Sequence, residues 1–242
     1  MRFDILCAFS LLTVLPVPFQ WLNAGRLPAR AMAAYPLVGL ALGAALTLAR
    51  VLFQTILPPL VSAALIVVMW AVLTGGLHLD GWADCCDALL ATVTRERRLE
   101  ILRDPRLGSF GVIGLTLLLM VKFATVASLP HLSATLILAP VLGRWAIVNL
   151  AATFPLARPD GMAARFRAGL GRRELTWAAL TAALVCGAVG WVGLIAFAGA
   201  AVGTFTFGRW VAPRLGGVTG DVYGATCELV EVVVLVLAGQ QA

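Results

Sequence analysis

Apolar residues recur in windows of about 15 to 21 positions, the length a helix needs to cross the core of a bilayer. Such windows fall near residues 37–57, 60–77, 108–128, 134–154 and 223–239. A Gly/Ala-rich stretch over 176–212 is long enough for two helices that turn near Gly190. The pattern predicts an all-α, polytopic integral membrane helical bundle with about six to seven transmembrane helices, forming a single domain over residues 1–242. The opening apolar run to Pro16 and Pro18 is too short for a span. It contains Asp4, carries only Arg2 ahead of it and lacks a small-residue cleavage site, so an interfacial or re-entrant helix is expected rather than a cleaved signal.

Composition strengthens this picture. Hydrophobic residues make up 61% of the 242 positions and charged ones 12%, and the mean hydropathy is +0.95. A soluble domain of this length does not show such values. Charge then gives orientation, because cytoplasmic loops retain arginine. Arg26 and Arg30 precede the first span, Arg95, Arg97, Arg98, Arg103 and Arg106 follow the second, Arg158, Arg165, Arg167, Arg172 and Arg173 follow the fourth, and Arg214 follows the sixth. All four regions fall on one side. The opposite turns, near Pro58-Pro59, Pro130-His131 and Gly190, carry no lysine, arginine or acid. Arg50 is the exception and is expected to snorkel or to face the bundle interior. Five cysteines, among them Cys85-Cys86, show no spacing for a disulfide framework or a zinc site and read as small buried hydrophobes.

Against this background one polar stretch stands out: Gly75-Gly76-Leu77-His78-Leu79-Asp80-Gly81-Trp82-Ala83-Asp84-Cys85-Cys86-Asp87. Ionisable groups beside hydrocarbon are costly and usually functional. On a helix Asp80, Asp84 and Asp87 project from one face, within roughly a sixth of the circumference. Such a face suits Mg²⁺, a hard cation that takes oxygen ligands. His78 points away from that face if the helix is continuous through it. If the helix starts at Asp80, His78 turns towards the ligand, so both a structural and a catalytic role stay open.

Two further clusters follow. Residues 95–111 alternate acid and base around Leu99 and Leu102, as an amphipathic interfacial helix does, and lead into Arg103, Asp104, Arg106 and Gly108. Guanidinium groups there are suited to phosphate recognition. Residues 214–228 bring glycines, Asp221 and, seven positions on, Glu228. Asp221 could cap the last span or act as a ligand.

These motifs together resemble cobalamin synthase, the adenosylcobinamide-GDP ribazoletransferase family. The likeness rests on Gly75-Gly76-Leu77-His78-Leu79-Asp80-Gly81-x-Ala83-Asp84-x-x-Asp87, on Arg103-Asp104-x-Arg106-Leu107-Gly108-x-Phe110-Gly111 and on Gly216-Gly217-x-Thr219-Gly220-Asp221-x-x-Gly224-Ala225. Phe9-x-Leu11-Leu12-Thr13-x-Leu15-Pro16-x-Pro18, Pro36-Leu37-Val38-Gly39 and Arg144 extend it over most of the chain. Trp82, Cys85-Cys86, Ala88, Arg103 and Pro105 depart from the family pattern, and none of them removes a carboxylate.

The resemblance implies a Mg²⁺-dependent transferase in a bacterial inner membrane, multi-pass, with its active-site loops facing the cytoplasm. A ribose hydroxyl of α-ribazole, or of its 5'-phosphate, would attack the diphosphate of adenosylcobinamide-GDP and expel GMP, a late step of cobalamin biosynthesis. Asp80, Asp84 and Asp87 are the expected metal ligands and, with His78, the catalytic group. Asp221 and Glu228 are candidates for a second metal or for orienting the nucleophile. Gly75, Gly76, Arg103, Asp104, Arg106, Gly108, Gly217 and Gly220, with Arg30 and Arg144 in support, are expected at the substrates. The other arginines, including the 158–173 group, are read as positive-inside anchors. The partners expected are the two small-molecule substrates and the lipid bilayer, with no nucleic acid. A homo-oligomer, or association with other cobalamin-assembly enzymes, is compatible with this. Two other classes share some of these features. A CDP-alcohol phosphatidyltransferase-like lipid enzyme is disfavoured because Asp84 stands where that pattern has arginine. An ion-coupled transporter is disfavoured because most acids flank the spans rather than sit at the midplane.

Overall fold

The computed structural model describes residues 2–16, 28–129 and 134–239. Arg26, Pro18, Pro130 and His131 therefore lie outside the described residues. The chain runs through α1 (Arg2–Leu12), a 3-10 segment (Pro28–Ala34), α2 (Tyr35–Gln54), α3 (Pro59–Leu73), α4 (Leu77–Leu90) and α5 (Arg95–Ile101). It continues with α6 (Ser109–Ser128), α7 (Thr135–Thr153), α8 (Met162–Arg167), α9 (Arg172–Val189), α10 (Trp191–Leu215) and α11 (Gly220–Gly239).

Five stretches are long and apolar enough to cross a membrane: Arg30–Gln54, Ser109–Ser128, Thr135–Thr153, Trp191–Leu215 and Gly220–Gly239. The count rises to six if α3 and α4, bent by 90° at the break between them, form one broken span. The chain is thus a multi-pass, all-helical membrane protein. The turn expected near Gly190 is present, with Gly190 at φ 77°. The α9 helix that precedes it is 18 residues long and opens on Arg172, Arg173 and Glu174, and those charges keep it outside the five.

Helix α7 is the centre of the bundle, with 83% of its apolar window buried, against 22% for α6. Its neighbours approach closely because they present glycine. Gly39 and Gly43 of α2, one turn apart, lie directly on the backbone of Pro140 and Ile137 in α7. Small residues at that spacing let membrane helices pack at van der Waals contact, which replaces the hydrophobic drive that lipid does not supply. Outward-facing side chains such as Ile56, Leu184 and Leu194 are 76%, 73% and 68% exposed, which is the surface a lipid-facing helix presents.

One end of the bundle gathers the polar motifs. Helix α4 turns out of α3 and lies across the first turns of α6 and α11. Its Trp82 Nε1 donates to Gly114 O at 2.9 Å, and its Gly81 and His78 sit against Asp221 and Gly224. It therefore does not continue the span. Several arginines at this end close helix C-termini, where carbonyls lack intrahelical donors and a cation is favoured. Arg98 Nη1 donates to Ala88 O and Leu89 O at 2.6 and 2.7 Å. Arg95 Nε donates to Leu215 O at 3.0 Å, beneath the left-handed Gly216 that ends α10. At the far end Arg50 is buried and does the same for α6, donating to Val126 O and Leu129 O at 2.7 and 2.5 Å. It faces the bundle interior, as expected.

Candidate active site

Three acids meet where α4 crosses α11. Asp80 and Asp84, one turn apart on α4, share a face; Asp221 opens α11 beside Gly81. Neither the Asp80 nor the Asp84 carboxylate has a hydrogen bond or ion pair among the described residues. Asp221 accepts from the Thr219 hydroxyl at 3.1 Å. Burial, and then the charges of Asp80, Asp221 and Asp87, raise the Asp84 carboxyl to about 7. A bound cation would oppose both causes, the loss of water and the crowding of like charge.

Asp87 does not join this face as expected. Its Oδ2 accepts from Gly108 N and its Oδ1 from Gly111 N, each at 2.8 Å. Both oxygens are therefore committed to the N-terminus of α6, where orphan amides and the helix dipole favour an anion. Gly108 is accordingly a seat for Asp87. Glu228 is also placed elsewhere: it lies inside the bundle, where Lys122 Nζ donates to its Oε2 at 2.6 Å. Lys122 also reaches Glu231 at 2.5 Å and lies 4.4 Å from the centre of the Trp70 ring. Arg144, expected at the diphosphate, is fully buried and donates to Glu231 through Nη1. Lys122 and Glu231 went unnoticed in the sequence, although charges inside apolar windows were the signal that would have found them.

Among the described residues no three His, Cys, Asp or Glu side chains converge tightly enough to hold a metal ion by themselves. Mg²⁺ does not require that, since it keeps several waters and binds through one or two carboxylates plus substrate phosphates. Asp80 and Asp84, with Asp221 nearby, fit such a partial donor set; Asp87 is turned to the start of α6 and Glu228 to Lys122 inside the bundle.

Three hollows surround the acids. An open groove of about 470 Å³ is lined by Gly75, Gly76, Asp80, Asp84, Pro105 and Leu107. It brings the glycine pair, at φ 61° and 68°, up to the carboxylate face. A polar cavity of about 220 Å³ lies on the other side of Asp221, lined by Arg158, Asp160, Thr219 and Gly220. The pKa of Arg158 is lowered, first by burial and then by the nearby positive charge of Arg103. Asp221 and Asp160 act on it in the opposite sense, and its Nη2 donates to Leu99 O, so Arg158 both closes the end of α5 and lines this cavity, which the anchor role expected from the sequence does not include. A third cavity, of about 230 Å³, lies behind Asp80 and Asp221 and reaches His78 and Tyr223.

The other expected residues are distributed around this frame. Arg103 is exposed on the loop after α5. Arg106 is also exposed and is held by Asp104, with Nε and Nη2 donating at 2.9 and 2.7 Å. That fork holds the Asp104 carboxyl at about 2. Arg30 is exposed on the 3-10 segment and lines none of the three hollows. Gly217 packs on the backbone of Pro155, Leu156 and Ala157, where Val218 N donates to Pro155 O at 2.8 Å. This ties the 216–220 loop to the end of α7, whereas Gly220 faces both cavities beside Asp221. The helix carrying Asp80 begins at Leu77. His78 is thus inside it and buried against Gly224 of α11 rather than on the carboxylate face.

The family model for cobalamin-5-phosphate synthase matches residues 4–239. Curated relatives bearing the name adenosylcobinamide-GDP ribazoletransferase are similar over nearly the whole chain. The one from Roseiflexus sp. (strain RS-1) is 40% identical, covering 94% of this chain and 86% of its own. That of Pseudomonas putida (strain GB-1) is 41% identical over 95% of each, and that of Desulfitobacterium hafniense (strain Y51) is 37% identical over 94% and 93%. No solved structure gives a significant match. The chain belongs to the cobalamin-5-phosphate synthase family.

Proposed function

We propose that this protein is an adenosylcobinamide-GDP ribazoletransferase that works with Mg²⁺ at the cytoplasmic face of a bacterial inner membrane. The observation that carries the chemistry is the group of unneutralised carboxylates, Asp80, Asp84 and Asp221, between a glycine-lined groove and a cavity holding Arg158. The names of relatives about 40% identical over the whole chain supply the substrates. The arginine-rich loops all lie at the end of the bundle that holds this group, which supports the cytoplasmic orientation.

In the reaction, a ribose hydroxyl oxygen of α-ribazole, or of its 5'-phosphate, bonds to the phosphorus that carries the aminopropanol oxygen of cobinamide. The bond from that phosphorus to the bridging oxygen breaks, and GMP leaves. Such a displacement needs alignment and charge neutralisation more than covalent catalysis. Asp80 and Asp84 would hold Mg²⁺, which when bound supplies positive charge to the diphosphate oxygens. Arg103 and Arg158 receive the phosphate oxygens of the leaving nucleotide. Asp221 accepts the hydroxyl proton at the junction of the two cavities. Gly75 and Gly76, without side chains, let the substrate backbone lie against α4.

The test is direct. Purified protein in proteoliposomes, given adenosylcobinamide-GDP, α-ribazole and Mg²⁺, should release GMP and form adenosylcobalamin. A folded preparation that releases none refutes the assignment.

A further inference from the structure

The cavity behind Asp80 and Asp221 is built unlike a phosphate site. Its walls are Leu11, Leu12, Met32, Ile147 and Phe166, drawn from four different parts of the chain. At about 230 Å³ it would hold several waters at ~30 Å³ each, yet walls of this kind offer them few partners. Tyr35, Asp80 and Asp221 also border it, and two further polar side chains in the lining are buried without a partner. His78 and Tyr223 are each 4% exposed, and His78 Nδ1 and Tyr223 Oη have no hydrogen-bond partner among the described residues. Buried polar groups are nearly always paired, so two unpaired ones in one apolar cavity call for a ligand that pairs them.

The shape of that ligand follows from the lining. Its body must be apolar to lie against Leu12, Met32, Ile147 and Phe166. It must also carry few polar atoms in its buried part, because away from the Asp80 and Asp221 carboxylates only Tyr35, His78 and Tyr223 are there to meet them, and an unmatched polar group would be disfavoured. At the mouth, where Asp80 and Gly220 are exposed, the ligand must turn polar. A nucleoside with an apolar base meets all three demands.

We propose that this cavity takes the heteroaromatic base of the nucleoside substrate, with the Tyr223 hydroxyl donating to the free ring nitrogen and the ribose emerging at Asp80 and Asp221. This rests on the reading that the nucleophile is α-ribazole, the riboside of a benzimidazole base. A benzimidazole has one free ring nitrogen and is otherwise apolar, which matches an apolar wall carrying the unpaired Tyr223 hydroxyl.

The experiment compares α-ribazole with its indole isostere, which lacks the ring-nitrogen acceptor, using the full chain in nanodiscs. GMP release is followed as each substrate is varied, and nucleoside binding is measured separately by calorimetry without the second substrate. Tyr223→Phe, which breaks no hydrogen bond within the protein, should raise the KM and the Kd for α-ribazole about tenfold. It should leave the KM for adenosylcobinamide-GDP unchanged and erase the preference over the indole riboside. Ile147→Phe, which narrows the cavity without touching an acid, should weaken both ribosides alike. Unchanged α-ribazole binding in Tyr223→Phe, or a rise confined to the adenosylcobinamide-GDP KM, overturns the proposal even if GMP release stands. If wild-type protein binds α-ribazole in this manner but releases no GMP, the base site holds and the transfer reaction falls.

Discussion

Replacing Asp87 by alanine removes the acceptor of two backbone N–H groups at once, those of Gly108 and Gly111, both at 2.8 Å. Gly111 is buried, so its N–H loses its partner without gaining water; Gly108 is half-buried and regains part of its hydration. A hydrogen bond to a charged acceptor contributes about 1.5–3 kcal/mol, and loss of a helix cap about 1 kcal/mol. The sum is about 3 kcal/mol, which for a domain of this size lowers Tm by roughly 6–12 °C. Asp87→Asn keeps one acceptor and turns an amide N–H towards the other glycine, so about half that loss or somewhat more is expected. Thermal unfolding in detergent, with and without Mg²⁺, measures the effect, and a Mg²⁺ titration of GMP release in the same preparations tests the alternative. A capping Asp87 gives the same Tm loss in both conditions and an unchanged Mg²⁺ requirement. An unchanged Tm with a Mg²⁺ requirement raised tenfold would refute the cap and return Asp87 to the metal.

Other outcomes follow from the same geometry. Asp84→Asn, which removes charge at constant shape, should abolish GMP release while leaving the protein folded; retained activity with unaltered Mg²⁺ dependence removes Asp84 from the ligands. Because the Asp84 carboxyl is raised to about 7, the fold without metal favours its protonated form. Stability in EDTA should therefore decline as pH rises from about 4 through 7, whereas Mg²⁺ affinity should weaken as pH falls below about 7. Flat profiles in both measurements would contradict this placement of Asp84. Lys122→Met leaves Glu228 and Glu231 buried with only Arg144 against them and should cost about 3–5 kcal/mol. Adding Glu228→Gln should recover much of that loss, and losses that simply add would show that the two side chains are not coupled.

The bundle itself was legible, because apolar windows report spans directly and Gly190 marked a turn that the structure contains. The crossing face of α4 was legible in part. Helical spacing puts Asp80, Asp84 and Asp87 on one side, and that much is local. It does not reveal that the start of α6 lies against the last of the three and takes both its oxygens. The same limit applies to Glu228. Its one-face relation to Asp221 is a property of a single helix, whereas its ion pair with Lys122 spans 106 positions and depends on how α6 and α11 pack. The direction of His78 turned on where one helix begins. Gly76, in a left-handed conformation, lets the chain enter the helix at Leu77, three residues earlier than the alternative that would have freed the imidazole. Arg158 was lost among neighbouring arginines because positive-inside bias explains them all equally well. Only the cavity beside Asp221 separates it from them.

The buried group of Lys122, Arg144, Glu228 and Glu231 also bears on how the protein is made. Both cations belong to α6 and α7, whereas both counter-charges belong to α11, with the paired residues 87 to 109 positions apart along the chain. The ribosome delivers the cations first. Until α11 arrives, each of the earlier helices carries a charge that hydrocarbon opposes, and the central α7 has nothing to neutralise the guanidinium at its core. Closure of the bundle therefore waits on synthesis of α11.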